Sequence, residues 1–145
     1  VCLDILVYTY TTKKPVTVWK VVDGENDDRE VCVITKELGS AYDGPIIDLS
    51  QHHRWDAGTR RRETHRNDGG KPQPYNAGFH CPTSIYDANK FFNFFPWGGY
   101  DDLRVCEYVI PAGTKVTVGY SLVGVDHLRT LVADTLINPR ISVRE

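Results

Sequence analysis

His80 and Cys81 stand side by side where a short apolar run, 79–81, meets Pro82 and a helix start. A thiol ahead of a helix gains thiolate character from the helix dipole. With His80, His65 or His127 and an aspartate beside it, Cys81 would have the parts of a nucleophilic site. The same address also suits an ordinary strand-to-helix junction with Cys81 as a small core residue, and that reading is preferred. No GxSxG elbow occurs. The second group with chemical potential is the arginine run Arg60, Arg61 and Arg62, joined by Arg66 and Arg54. Guanidinium forks bind phosphate or carboxylate in two-pronged fashion. Neither a GxxxxGK[ST] nor a GxGxxG pattern accompanies them, so the run reads as a protein-contact element, with Trp55 and Trp97 as its aromatic anchors.

Metal chemistry is not expected. His52, His53, His65, His80 and Cys81 lack HxH, HExxH or CxxC spacing. The four cysteines, Cys2, Cys32, Cys81 and Cys106, lie 30, 49 and 25 residues apart, each in or beside an apolar run. The acidic stretch 23–30 resembles a calcium loop only in composition. Counted from Asp23, its sixth residue is Asp28 and its twelfth Ile34, where such a loop has Gly and Glu. It reads as a solvated turn.

The elements that must position these groups follow from periodicity. Residues 2–10, 16–22, 31–35, 103–110 and 115–122 are β-rich runs bounded by turn residues. TTKKP is expected to join the first two as a hairpin, and PAGT to join 103–110 to 115–122 as another. Gly119 marks a bulge or a close contact. Ser84, three residues before Asp87, is the cap of the main helix, about 84–94, which places Ile85, Ala88, Phe91 and Phe92 on the sheet. Leu128, Leu131 and Val132 recur at helical spacing and predict a minor helix over about 126–135, followed by a last short strand at 140–143. The stretch 51–74, polar, glycine-bearing and arginine-rich, reads as one long surface loop. The fold class is α+β: a single domain, 1–145, of mainly antiparallel sheet with one main and one minor helix.

The chain has 17 basic and 19 acidic side chains and a formal charge of -2. That balance gives no bulk drive toward nucleic acid or an anionic membrane. No apolar run reaches the length of a membrane span, and no signal peptide is visible, so an intracellular or virion setting is expected.

Residues 75–95, with the strand 103–110 and PAGTKV, resemble a family of small phage and bacterial domains. These carry a Gly-Phe-His signature, a capped helix and a strand ending in a Gly turn, here Gly78-Phe79-His80, 85–95 and 104–114. That resemblance implies no agreed activity. The same layout is similar to the strand-to-helix step of ADP-ribosyltransferases, with Gly78, Phe79 and Ser84 at the step and 18–21 as the NAD-contacting strand. This second resemblance implies a ligand site of His80, Ser84, Lys20 and Glu107. Lys20 stands where that family has Arg or His, and the late glutamate is represented only by Glu107 in a strand or by the terminal Glu145.

Together the residues indicate a structural or protein-interaction domain, such as a virion or assembly component, without cofactor and with other protein subunits as partners. Its contact residues are Arg54, Trp55, Arg60, Arg61, Arg62, Arg66 and Trp97. The alternative is a NAD- or nucleotide-binding enzyme using His80, Ser84, Lys20 and Glu107. At least three of the four thiols are expected to be reduced and buried. Thiol titration under denaturing conditions, with and without reductant, checks this: two disulfides per chain overturn it.

Overall fold

In a computed structural model, the residues described are 3–23, 31–32, 53–56, 61–64, 71–76, 78–94 and 103–141. In chain order the strands are β1 (Ile5–Thr11), β2 (Val16–Asp23), β3 (Val31–Cys32), β4 (Arg54–Asp56), β5 (Arg61–Glu63), β6 (Pro74–Asn76) and β7 (Phe79–Pro82). The helix α1 (Ile85–Phe94) follows, then β8 (Leu103–Ile110), β9 (Lys115–Val123), β10 (Asp126–Ala133) and β11 (Thr135–Ile137). One sheet runs β1-β9-β10-β7 and the other β3-β2-β8-β11-β4, with a separate ribbon of β5 and β6. Every pairing among the described residues is antiparallel.

The two sheets share one apolar core. Val18 and Val22 of β2, Cys106, Tyr108 and Ile110 of β8 and Leu136 of β11 meet Val116 and Val118 of β9, Leu131 and Ala133 of β10, and Phe79 and Cys81 of β7. The inner residues of β8 are even-numbered, as the two-residue repeat of a strand requires. The helix bridges the sheets: Phe91 packs with Val21 of β2, Val123 of β9 and Leu128 of β10. Ser84 caps it as expected, accepting the Asp87 N–H at 3.1 Å. Ala88 and Phe91 are buried, but Ile85 is half exposed rather than packed on the sheet.

Neither expected hairpin forms. β1 and β9 belong to one sheet, β2 and β8 to the other. The turns TTKKP and PAGT are therefore crossings between sheets, and they lie against each other. Thr12 N–H donates to the Thr114 carbonyl at 2.9 Å and Gly113 N–H to the Thr12 carbonyl at 2.7 Å. The Thr12 hydroxyl donates to the Pro111 carbonyl at 2.8 Å and accepts the Thr114 N–H at 3.0 Å. The Thr114 hydroxyl also donates to the Pro111 carbonyl, at 2.7 Å. Backbone groups that a hairpin would pair along its ladder are satisfied here by the neighbouring crossing.

The minor helix is likewise replaced by a strand. Asp126–Ala133 pairs with β9 from Val123↔Asp126 to Val116↔Ala133 across the two-residue link Gly124-Val125. Gly124, at φ +61°, holds the first link position, which in a tight hairpin favours glycine. The helical spacing of Leu128, Leu131 and Val132 arises because β10, between β9 and β7, is covered on both faces over its second half: Leu131 packs in the inter-sheet core, Val132 with Leu3 and Tyr75 on the other side. Arg140 and Ile141 lie in a turn, so the expected last strand does not start there, and 142–143 fall outside the described residues. The expected strand 31–35 is described only at its first two residues.

Gly119 does face a bulge. β1 shifts register between Leu6↔Gly119 and Tyr8↔Val118, and a Cβ on Gly119 would collide with the Ile5 carbonyl oxygen and lie 2.9 Å from Leu3 Cδ1. Gly113, at φ +80°, has open space around its Cα. Alanine at Gly119 is expected to cost about 3 kcal/mol by overpacking, and alanine at Gly113 about 1 kcal/mol from backbone strain alone. Urea unfolding of the two variants checks the order.

Candidate functional site

The Gly-Phe-His stretch is the chemical centre of the molecule, and its side chains point to different places because strand neighbours alternate. β7 pairs with β10 as Phe79↔Ala133, His80↔Val132, Cys81↔Leu131 and Pro82↔Thr130. Phe79 and Cys81 therefore enter the inter-sheet core, and His80 faces the other side, with Val132. Gly78 is required by the approach to β10: a Cβ there would collide with the Ala133 carbonyl oxygen. Pro82 fits because β7 is the edge strand of its sheet.

His80 is buried, at 3% exposure, and both ring nitrogens are engaged. Nδ1 lies 3.0 Å from the Gly78 carbonyl, which can only accept, so Nδ1 carries the proton of that bond. Nε2 lies 2.9 Å from the Tyr75 hydroxyl. That hydroxyl oxygen accepts the Leu3 N–H at 3.2 Å. The assignment that satisfies this order is a neutral imidazole with Tyr75 donating to Nε2. The rings of Tyr75 and His80 also meet edge to face, with centroids 5.8 Å apart. Tyr75 belongs to β6, so this network fastens the β5–β6 ribbon to the four-stranded sheet.

Lys20 approaches from the other sheet. It sits on the inner face of β2 between Val18 and Val22, 5% exposed, and its Nζ donates to the His80 carbonyl at 3.1 Å. A buried ammonium requires such acceptors. The bond gives an edge-strand carbonyl a donor and ties the two sheets together.

Of the four residues in the alternative ligand site, the fold brings Lys20 and His80 together, in the interior. Ser84 is engaged as the helix cap. Glu107 pairs with Trp19 and Lys20 with Cys106, so Glu107 lies on the opposite face of that sheet from Lys20, and it is exposed. Arg140 bonds the backbone carbonyl of Glu107 at 2.8 Å and lies over the Tyr108 ring, 5.0 Å from its centroid. The four do not line one cleft. The thiol–imidazole pairing also separates: Cys81 lies in the core with its Sγ 3.8 Å from the Phe79 carbonyl, while His127 is exposed on β10. Cys81 and Cys106 are both buried free thiols. Cys2 and the side chain of Cys32 fall outside the described residues. No group of three or more metal-ligating side chains occurs among the described residues.

The proposed contact residues other than Trp97 are distributed over the polar stretch 51–74, which contains strands rather than one loop. Arg54 and Trp55 lie on β4, the edge strand beside β11, as Arg54↔Ile137 and Trp55↔Leu136, and Arg54 is exposed. Arg61 and Arg62 lie on β5, opposite Asn76 and Tyr75. Thr64 N–H donates to the Gln73 carbonyl and the Thr64 hydroxyl accepts the Gln73 N–H, at 3.0 and 2.9 Å, closing the ribbon. Arg60, Arg66 and Trp97 fall outside the described residues.

Sequence reasoning passed over Tyr75, whose signal was a lone aromatic between exposed neighbours in PYN, and Thr12, whose position just past an apolar strand looked like a simple turn. No helix among the described residues is long and apolar enough to cross a membrane. Compared with protein-family models, with curated proteins and with solved structures, the chain finds no match.

Tyr75→Phe removes a hydroxyl shared by His80 and the Leu3 N–H, and is expected to cost about 1–3 kcal/mol of stability. Lys20→Met keeps the apolar stem and is expected to cost a similar amount, because it strips the His80 carbonyl of this buried donor. Chemical denaturation of both variants and of the double variant checks this, with non-additivity expected since both act on His80.

Proposed function

We propose that this is a protein-interaction domain, such as an assembly component, that presents an arginine-bearing contact element on a rigid sandwich. One observation carries the reading. Among the described residues the β5–β6 ribbon joins neither main sheet, yet it is held through Tyr75 to the buried His80 and to Leu3. A solvated loop has no need of such an anchor. A ribbon that must hold the backbone of its arginine-bearing strand in a fixed position does, because preorganised groups lose less entropy on binding. Arg54 and Trp55 sit on β4, at the end of the five-stranded order, where a partner strand could add itself, and Arg54 is exposed. Arginine and aromatic residues are the types that concentrate binding energy at interfaces. The partner surface that suits them is acidic and belongs to another protein subunit.

The NAD- or nucleotide-binding alternative gains less support. Its Lys20 and His80 are spent on internal bonds, and its Glu107 lies on the far side of the sheet.

Replacing Arg60, Arg61 and Arg62 together with alanine is expected to weaken self-association or subunit binding at least about tenfold. The fold should be unchanged by circular dichroism. Sedimentation and native mass measurements read the assembly, and calorimetry with NAD and common nucleotides reads the alternative. Unchanged assembly together with loss of a nucleotide affinity held by the intact chain overturns the interaction reading.

A further inference from the structure

The face of the four-stranded sheet that forms the core at Val116, Val118 and Leu131 runs out, toward the other ends of its strands, into a group of solvent-facing polar rings and one arginine. Cross-strand partners share a face, so the register places them together: Tyr8 opposite Val118, Tyr120 opposite Arg129, and His127 opposite Leu122. Tyr8 is 47% exposed, and His127 and Arg129 are exposed. The bulge of β1 is what brings Tyr8 here. Without the extra residue at Val7, strict alternation from Leu6 would send Tyr8 to the opposite face, and bulges commonly re-aim a side chain in this way.

Arg129 reaches across β9 and donates from Nη2 to the Tyr8 hydroxyl at 3.2 Å. Tyr8 lies 5.9 Å from Tyr10, and Tyr120 lies 6.3 Å from His127, ring centre to ring centre. No acidic residue shares this face in the register, and Arg129 forms no ion pair among the described residues. Most of the donors of its fork remain available to an outside acceptor. In contrast, Lys90 on α1 is answered by Asp126 at 3.6 Å.

We propose that this face binds a carboxylate-bearing saccharide. One guanidinium without an acid partner matches one carboxylate per recognised sugar, by a two-pronged contact. Tyrosine rings on a rigid sheet offer flat apolar surfaces for the C–H faces of a pyranose, and the hydroxyl and imidazole tips meet its hydroxyl groups. Single-stranded nucleic acid fits less well: tracking a phosphate backbone takes a row of cations. This face has one arginine, and the chain carries a formal charge of -2. A protein partner of ordinary kind fits less well too, since the aliphatic side chains that share the exposed end, Ile5 and Leu122, are half-buried and offer no free anchor. The site lies on the face of the sheet opposite the Tyr75 anchor of the β5–β6 ribbon, so it is independent of the contact element proposed above.

The test is titration of the intact chain with trigalacturonate, with the neutral galactose trimer and with a thymidine oligonucleotide, read by calorimetry and amide chemical-shift mapping. Saturable binding of trigalacturonate is expected, with shifts centred on β1, β9 and β10 and the neutral trimer at least about tenfold weaker. Arg129→Gln is expected to lose at least about tenfold in affinity and Arg129→Lys to fall between, since it keeps the charge and loses the fork. Tyr8→Ala is expected to weaken binding as well, and Arg140→Gln, elsewhere on the surface, to leave it unchanged. Circular dichroism verifies that each variant folds. The proposal is overturned by absence of saturable uronate binding below about 10 mM, by an unaffected Arg129→Gln, by equal binding of the neutral trimer, or by tighter binding of the oligonucleotide.

Discussion

The His80 peptide carries two commitments at once. Its ring, turned to one face of β7, holds Tyr75 and through it the Leu3 backbone; its carbonyl takes the ammonium of Lys20 from the facing sheet. Almost everything else can be read as accommodation to that point. Gly78 must be small so that β7 can lie close to β10, Phe79 and Cys81 must be apolar because they fill the core, and β2 must carry a lysine where its neighbours are valines. A lysine among valines is costly in an apolar interior unless its head is satisfied. Its presence marks the place where the two sheets are held by direction as well as by area. Apolar contact alone lets sheets slide; a donor that must meet one carbonyl fixes how they face each other.

A buried polar network of this kind explains why a stretch with the look of a reactive site is structural. Histidine next to cysteine invites a catalytic reading, yet in a strand adjacency in sequence means opposite faces in space. The chemistry that does face solvent, Tyr8, Tyr120, His127 and Arg129, comes from β1 and from the β9–β10 hairpin some hundred residues further along the chain. Its members converge only after one bulge has reset the alternation of β1.

What was legible beforehand follows the same division. Local signals were reliable: the Ser84 cap, the helix it starts, and the strands 16–22, 103–110 and 115–122 all stand within a residue of their expected ends. Pairing was not legible. PAGT has the composition of a hairpin turn, and nothing local distinguishes a turn that returns along its own sheet from one that crosses to the next. The difference is made by Thr12, some hundred residues earlier, which takes up the turn's backbone groups. The 126–133 segment failed for another reason. A strand covered on both faces over part of its length loses its alternation there, and Leu128, Leu131 and Val132 then imitate a helix. The chemistry divides likewise: Lys20 and His80 were foreseen as neighbours, but their burial was a property of two sheets meeting, and no spacing within either segment encodes it.

The stapled crossings have a consequence for how the chain reaches this state. β1 finds its partner in β9, and Thr12 its partners in Pro111 and Thr114, so β1 waits for this partner until some hundred further residues have been made. β2 meets β3 at its end but likewise waits for β8 along the rest of its length. During synthesis β1 and most of β2 leave the ribosome well ahead of these partners, and folding is dominated by distant pairings. The lysines at 13 and 14 and the proline that follows stand at the end of the most vulnerable of those strands, where charge and a missing N–H discourage a neighbouring chain from adding itself to the edge before the proper partner arrives.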